Sequence, residues 1–561
     1  MNFKEEIISL LEKETKLKRE ELANFISIPP DPKLGDYAFP CFKLGKNPKE
    51  EAEKLKEAIK EKLPSFILKI EAAGPYLNFF IKNKVIAEVT LTEVYKQAKR
   101  YGSSNFGKGQ VIVMDYSHPN IAKPFGIGHL RSTVIGNSLY KTFQFLGYKP
   151  ISVNHLGDWG TQFGKLIVAY TRWGDKKELE KDPIKYLLKL YVKFHAEVEK
   201  DETLNEEARA AFKSLEDGNR ENLALWEEFK ELSLKEFERI YQILDVTFDS
   251  YKGEAFVNKL VPEAITEIEK KVETKISEGA LIVDLEKENL PPILLRKSDG
   301  ASTYHSRDVA AALYRLKKYK ADKMLYLVGS EQKLYFQQLF KLLELADYNR
   351  DKFVHADFGL FRFPEGKMST RKGNVIFLED VLNQAIILAE KIIEEKNPTL
   401  KNKKDVAKIV GVGAVIFADL SNDRIRNIDF DWDKMLSFEG ETAPYIQYTH
   451  ARACSILRKS ELDVRDKINF ERFGIEEEMR VVKLLYNFPE ALEKVVKTYK
   501  PHHLAQYLIS LAQAFNEFYH KCPVISEDKN IMKARLLLVD SVKRVLENGL
   551  GLLGIKAPEE M

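Results

Sequence analysis

Residues Val111–Thr133 read VIVMDYSHPNIAKPFGIGHLRST, and this stretch decides the fold class. The apolar, β-branched run Val111-Ile112-Val113-Met114 predicts a buried strand. A loop carrying two prolines and two glycines follows. From His129 onward, Leu130, Val134, Ile135, Leu139, Phe143 and Leu146 recur at helical spacing, and Gly147 supplies a C-terminal stop. Tyr148–Asn154 predicts a second strand. Strand, helix and strand within about 45 residues form a βαβ unit, which implies a parallel sheet. The loop also brings Lys123, His129 and Arg131 to a helix N-terminus. Its free backbone N–H groups and positive dipole end favour phosphate.

Outward from this unit, the 561-residue chain is too long for one core, and it divides by pattern. Residues 1–100 read as a small α+β module with its connector. It has helical patterns at 4–25 and 47–62, a strand at Tyr37–Phe42, and alternation through AAGPYLNFFI at 72–81. Residues 101–383 read as the sheet domain. A Lys/Glu-dense helical insertion interrupts it at about 175–250, its charge runs being solvated helix faces. The sheet pattern returns at 279–296 and 322–330. Residues 384–440 are a helical connecting segment, and 441–561 an all-α bundle punctuated by Pro489, Pro501 and Pro523. The expected fold is therefore α/β, with a parallel-sheet domain between an α+β module and an α-helical bundle.

Composition excludes several classes. Lys and Arg number 88 against 85 Asp and Glu, so any nucleic-acid surface must be a local patch. Three cysteines, Cys41, Cys454 and Cys522, lie far apart, which argues against a disulfide framework and for a reducing, cytoplasmic compartment. The opening MNFKEEIISLLEKE is an amphipathic helix pattern rather than a signal peptide. No apolar run reaches the roughly 18 residues of a membrane span.

Two loops carry the chemistry. GIGH at 126–129 opens a helix. KMSTRKG at 367–373 packs Lys367, Arg371 and Lys372 with Ser369 and Thr370, and Gly366 and Gly373 flank it. Cations aimed at a polyphosphate stabilise the charge that develops in phosphoryl or nucleotidyl transfer. A dinucleotide fingerprint does not fit: Arg131 stands where the third glycine of GxGxxG belongs, and the loop starts too far beyond the strand. Walker A, HExxH and GxSxG motifs are absent from the sequence.

In these motifs the chain resembles the class I aminoacyl-tRNA synthetases and, among them, the arginyl-tRNA synthetases. Gly126–His129 matches the HIGH element and Lys367–Arg371 the KMSKS element. The arginyl resemblance rests on longer text: SHPNIAKPFGIGHLRST, NHLGDWGTQFG, TYHSRDVAAAL, KMSTRKGN, FDWDKMLSFEG, YIQYTHARACSILR and the ending NGLGLLGIKAPEEM. GDYAFPCF and GPYLNFF resemble the N-terminal domain of that family, so the likeness spans the chain.

The resemblance implies a Rossmann-type catalytic domain and an arginine–tRNA ligase that works in two steps. Arginine and ATP give arginyl-adenylate, and the arginyl group then passes to the 3′ end of tRNA(Arg). It implies catalytic roles for His129, Lys367 and Arg371. ATP would be held by Pro119, Lys123, Gly126, Gly128, His129, Lys367, Met368, Ser369 and Lys372, with Mg²⁺ arriving on the nucleotide rather than in a protein site. Arginine would be held by Asp115, His118, Asn120, Glu254, Tyr304, Asp308 and Gln332. A planar cation calls for carboxylates in fork geometry with an aromatic hydroxyl nearby, and Tyr304, Asp308 and Glu254 are expected at the guanidinium. Tyr76 and Asn78 would meet the tRNA elbow, and Tyr445, Tyr448, Tyr519 and Met561 the anticodon. A monomer is expected.

Two positions depart from the family pattern. Gly126 stands where histidine is common, removing a donor worth about 1–3 kcal/mol to a charged acceptor. His118 stands where serine is usual. Gly126 motivates an alternative, a synthetase-like tRNA-binding or regulatory protein without catalysis. A nucleotidylyltransferase sharing the HIGH-type sheet is disfavoured, because it needs neither flanking domain.

Overall fold

The computed structural model describes residues 1–362, 376–429, 431–437, 439–460 and 468–561. KMSTRKG, and with it Lys367, Met368, Ser369, Arg371 and Lys372, lies outside the described residues. Two compact units are present. One comprises residues 1–101, 453–487 and 513–545, and the other residues 102–452, 488–512 and 546–561.

In the first unit, β1 (Tyr37–Pro40), β3 (Tyr76–Ile81) and β2 (Ile67–Ala73) form an antiparallel sheet in the order β1-β3-β2. The alternating run at 72–81 is thus two strands. Gly74, at φ +60°, reverses the chain beside Pro75, a turn that its missing Cβ makes cheap. The helical pattern at 4–25 also divides, into Phe3–Glu14, capped by the Asn2 side chain, and Arg19–Phe25. Asp36 is held twice, accepting from the Ile81 amide at 2.7 Å and pairing with Lys483 at 2.6 Å. Arg535 and Glu478 form a buried pair at 2.7 Å.

The second unit is built on a parallel sheet of β4 (Val111–Asp115), β5 (Lys149–Val153), β9 (Lys323–Tyr326) and β10 (Phe353–His355), in the order β10-β9-β4-β5. The chain leaves β4 toward β5 on one side and later returns on the other through β9. The order therefore reverses beside β4, and in such sheets the ligand crevice opens at the carboxyl end of that switch point. Asp115 is the last residue of β4. Val113, Met324, Val309, Ala310, Phe336 and Phe340 share one core, which packs the helices Tyr304–Tyr319 and Lys333–Leu345 onto the sheet.

The sheet pattern at 279–296 does not join this sheet. It forms a separate antiparallel meander of β6 (Lys275–Ser277), β7 (Ala280–Val283) and β8 (Ile293–Arg296). Glu278 and Gly279, both at positive φ, make the two-residue turn that commits β6 and β7 to a hairpin. The insertion is helical as its composition implies, ending in the long helix Arg220–Leu244. A short parallel pair, β11 (Phe361–Arg362) with β12 (Ile428–Asp429), lies beyond β10.

Gly136, in the helix Gly128–Phe145, explains how closely that helix packs. A Cβ there would sit 2.3 Å from the Tyr116 ring.

Candidate active site

The loop after β4 is wound unusually: Ser117, His118 and Ala122 all have positive φ, at 81°, 54° and 59°. Such backbone persists only where its surroundings hold it. Here the Ser117 amide donates to Ser132 Oγ at 2.9 Å and the Ala122 amide to Ser233 Oγ at 2.9 Å. Ser117 Oγ also meets the Tyr241 hydroxyl at 2.7 Å. The winding turns His118 back onto Asp115, Nε2 to Oδ1 at 2.8 Å, while Arg315 donates from Nη1 to Oδ2 at 2.6 Å. Burial alone would push the Asp115 carboxyl up. Arg315 and His118 outweigh that and hold it well below the usual carboxylate range. His155 Nδ1 lies 3.3 Å from the Arg315 guanidinium, and burial lowers this imidazole to about 4.

Two other acids face a different situation. Burial raises the Glu254 carboxyl to about 7, against the pull of Arg307, and Asp308 and Asp158 add to the rise. Burial also raises Asp308, opposed by a hydrogen bond from the Tyr335 hydroxyl, while the charge on Asp115 raises it further. Among the described residues neither Glu254 nor Asp308 has an ion-pair partner within 4.0 Å. Asp308 thus feels the charge of both Asp115 and Glu254, and of the three acids only Asp115 has an ion-pair partner among the described residues. Burial without a contacting cation is what raises Glu254 and Asp308.

The NHLGDWG loop sets Glu254 in place. The Glu254 amide donates to the Leu156 carbonyl at 3.0 Å and the Ala255 amide to Asp158 Oδ1 at 2.8 Å. Asp158 is itself buried and paired with Lys230 at 2.6 Å. Asn120 bridges to Gly157, whose missing side chain leaves room for the Asn120 amide: a Cβ there would meet Oδ1 at 2.3 Å.

The helix Gly128–Phe145 begins beside this pocket. Among the described residues a Cβ on Gly128 would meet nothing within 4 Å, and Gly128 is exposed. His129 Nδ1 lies 3.2 Å from the Gly126 carbonyl, which can only accept; Nδ1 therefore carries the proton. Burial lowers His129 to about 4, so the ring is neutral and Nε2 carries a lone pair. Pro119 is buried in the same loop, and Lys123 places its ammonium 5.6 Å from the Tyr191 ring centre.

Other expected residues lie at the margins. Tyr304 is 70% exposed, with the Arg307 guanidinium 4.8 Å from its ring. Gln332 is exposed in the turn Ser330–Gln332. Tyr76, Tyr448 and Tyr519 are exposed, Tyr445 is half-buried and Asn78 is buried. The Met561 carbonyl accepts from Asn397 Nδ2 at 3.0 Å. Sequence reasoning missed Arg315, His155, Arg307, Asp158 and Tyr335. Asp158 lies inside a quoted motif. Arg315 is one of several cations in a helical run and carries no local signal.

Comparison with known proteins bears on this geometry. A family model described as "tRNA synthetases class I (R), catalytic domain" matches residues 90–432. The DALR anticodon binding domain matches 446–561, and the arginyl tRNA synthetase N terminal domain matches 1–81. The arginine–tRNA ligase of Halothermothrix orenii is 47% identical over 566 aligned residues, with all of both chains covered. The chain belongs to the arginyl-tRNA synthetase family.

The Clostridium kluyveri arginine–tRNA ligase is similar to the same extent, 48% identical with both chains fully covered. Among solved structures, the Thermus thermophilus arginyl-tRNA synthetase superposes with a TM-score of 0.83 at 25% identity, covering 96% of each chain. That of Plasmodium falciparum gives 0.78 at 25% identity, covering 96% of this chain and 94% of its own. As an arginyl-tRNA synthetase, the chain places Asp115 at the switch point of its parallel sheet. Among the described residues no helix is long and apolar enough to cross a membrane.

Proposed function

We infer that this chain is an arginine–tRNA ligase whose Glu254 and Asp308 hold the substrate guanidinium. The observation that supports the assignment is a pair of acids without an ion-pair partner among the described residues, in the same sheet domain as an exposed helix N-terminus. A guanidinium supplies the missing charge and a planar fork for two carboxylates. Asp115, whose oxygens already serve His118 and Arg315, lines the same pocket and shapes it by charge. Asn120 and Gln332 take the α-amino and carboxylate end, and Tyr304 covers the pocket mouth.

ATP lies along Pro119, Lys123, Gly126, Gly128 and His129, with KMSTRKG supplying cations to its phosphates. Arginine's carboxylate attacks the α-phosphate and pyrophosphate leaves; the terminal ribose hydroxyl of tRNA(Arg) then attacks the arginyl carbonyl, the acyl–phosphate bond breaks and AMP leaves. Positioning and charge stabilisation carry both steps. Neutral His129 gains a proton as its Nε2 meets phosphate oxygen, since a lone pair facing an anion is repelled. The described donors here are cationic or imidazole groups, chemistry that suits phosphate. Mg²⁺ therefore belongs with the nucleotide, where it offsets phosphate charge.

Tyr76 meets the tRNA elbow, while Asn78, being buried, belongs to the packing of the same strand; Tyr445, Tyr448, Tyr519 and the Met561 end meet the anticodon stem-loop. The chain works as a monomer in the cytoplasm. Purified protein is expected to exchange pyrophosphate into ATP with arginine and tRNA present. Asp308→Ala should abolish that exchange; exchange supported by lysine or glutamine instead overturns the substrate assignment. No observation favours a catalytically silent protein, since Gly126 keeps its backbone pairing with Phe377 and leaves His129 in place.

A further inference from the structure

Arg131 follows His129 by two residues, and its side chain is only 1% exposed. All three nitrogens of its guanidinium donate. Nε donates to both oxygens of Asp419, at 3.2 and 3.3 Å. Nη1 donates to the carbonyls of Gly359 and Arg426 at 2.6 and 2.8 Å, and Nη2 to that of Arg424 at 3.2 Å. Phe358 and Phe361 set their rings 5.9 and 5.6 Å from it. One side chain thus ties the opening turn of the HIGH-element helix to three carbonyls. They belong to the chain leaving β10 and to the turn that precedes β12.

These partners are themselves interlocked. The Gly359 amide donates to the Arg424 carbonyl at 2.9 Å, Leu360 to Asn427 Oδ1 at 2.8 Å, and Ile428 to the Leu360 carbonyl at 2.9 Å. A Cβ on Gly359 would lie 2.5 Å from the Arg426 carbonyl, so the packing admits only glycine. The opposite flank is fastened differently. There Ile127 and Leu378 exchange backbone hydrogen bonds with Ile376 and Phe125, at 3.1 and 3.0 Å. The described segments that lead into and out of KMSTRKG are thus each anchored to the loop and helix of the HIGH element, one by backbone and one by Arg131.

We propose that Arg131 is a positioning residue for the nucleotide half of the site, fixing the spacing between the His129 helix end and the segment that enters KMSTRKG. The proposal rests on the assignment of that helix end to ATP. A lysine at 131 keeps the charge but offers one nitrogen in place of a fork, so it cannot span Asp419 and three carbonyls together. Misplacement by about 1 Å is enough to slow a positioned reaction by roughly 100-fold.

The test compares the two substrates in one protein. In Arg131→Lys, the KM for ATP in pyrophosphate exchange is expected to rise, and kcat to fall, by about 10-fold or more each. Arginine binding, measured by calorimetry, is expected to stay within about 2-fold, because the acid pocket is not held by this network. A merely structural role would weaken both substrates together with the melting temperature. Asp419→Asn, which keeps the shape and removes one charge, provides a second variant.

Unchanged ATP parameters in a folded variant, parallel losses for ATP and arginine, or failure of both variants to fold would each overturn the proposal. Absence of arginine-dependent exchange in the unaltered protein would instead refute the ligase assignment beneath it.

Discussion

Arginine affinity should depend on pH through Glu254, and the size of the effect follows from the pocket. The empty-pocket carboxyl titrates at about 7, above the ordinary glutamate value, because burial disfavours its charge. A guanidinium binds the ionised form. Affinity must therefore rise with pH, and binding at low pH must release a proton. With a pKa of about 7, roughly one molecule in eleven has Glu254 ionised at pH 6 and ten in eleven at pH 8. The Kd for arginine should then be about 10-fold weaker at pH 6, or about 1.4 kcal/mol. Asp308 is raised in the same pocket, so the pair titrates jointly and steepens the dependence. Folding runs the other way: a raised carboxylate pKa favours the empty folded protein at low pH and disfavours it as pH climbs toward 7. Calorimetric Kd values between pH 6 and 8, in two buffers of different ionisation enthalpy, give both affinity and proton release. Glu254→Gln should flatten the profile and weaken binding at pH 8 by about 10- to 100-fold, the worth of a hydrogen bond to a charged group. A wild-type profile that changes less than 2-fold, or a Gln variant with the same slope, refutes the reasoning.

Gly128→Ala should leave the free energy of unfolding within about 0.5 kcal/mol, since its Cβ would meet no described atom within 4 Å, yet raise the KM for ATP if a nucleotide approaches that helix end. Arg315→Met removes the cation against Asp115 and should cost about 3–5 kcal/mol in urea unfolding, the penalty of an orphaned buried charge. Tyr76→Ala, at an exposed ring in the first unit, should weaken tRNA binding by about 1–3 kcal/mol in filter retention while leaving the melting temperature unchanged. A fall in melting temperature there would place the ring in the core instead.

The central strand, its helix and the second strand were legible because hydrophobic period and turn residues agree at Val111–Val153. The long helical insertion was legible from composition. Strand partnership was not: 279–296 has the apolar spacing of sheet, but the choice between joining β4 and forming a meander rests on the tight Glu278-Gly279 turn. The acid pocket was legible as residues and not as charges. Asp115, Glu254 and Asp308 look alike in sequence. Arg315, about 200 positions from Asp115 and apparently one more cation on an amphipathic helix, makes them different. The same limit hid Arg131, whose five hydrogen bonds reach residues more than 200 positions away.

The bond between Arg315 and Asp115 has a consequence for redesign. The protein already contains, beside its proposed arginine site, a guanidinium clasped by a carboxylate. Altering the pocket for an uncharged analogue such as citrulline would tempt an engineer to neutralise every acid in it. Neutralising Asp115 would strip the counter-charge from a resident arginine and leave the fold to bear the loss. On the proposed assignment the acid open to exchange is Glu254, since Asp308 also holds the Tyr335 hydroxyl. The site thereby separates a charge that builds the pocket from charges that read its contents.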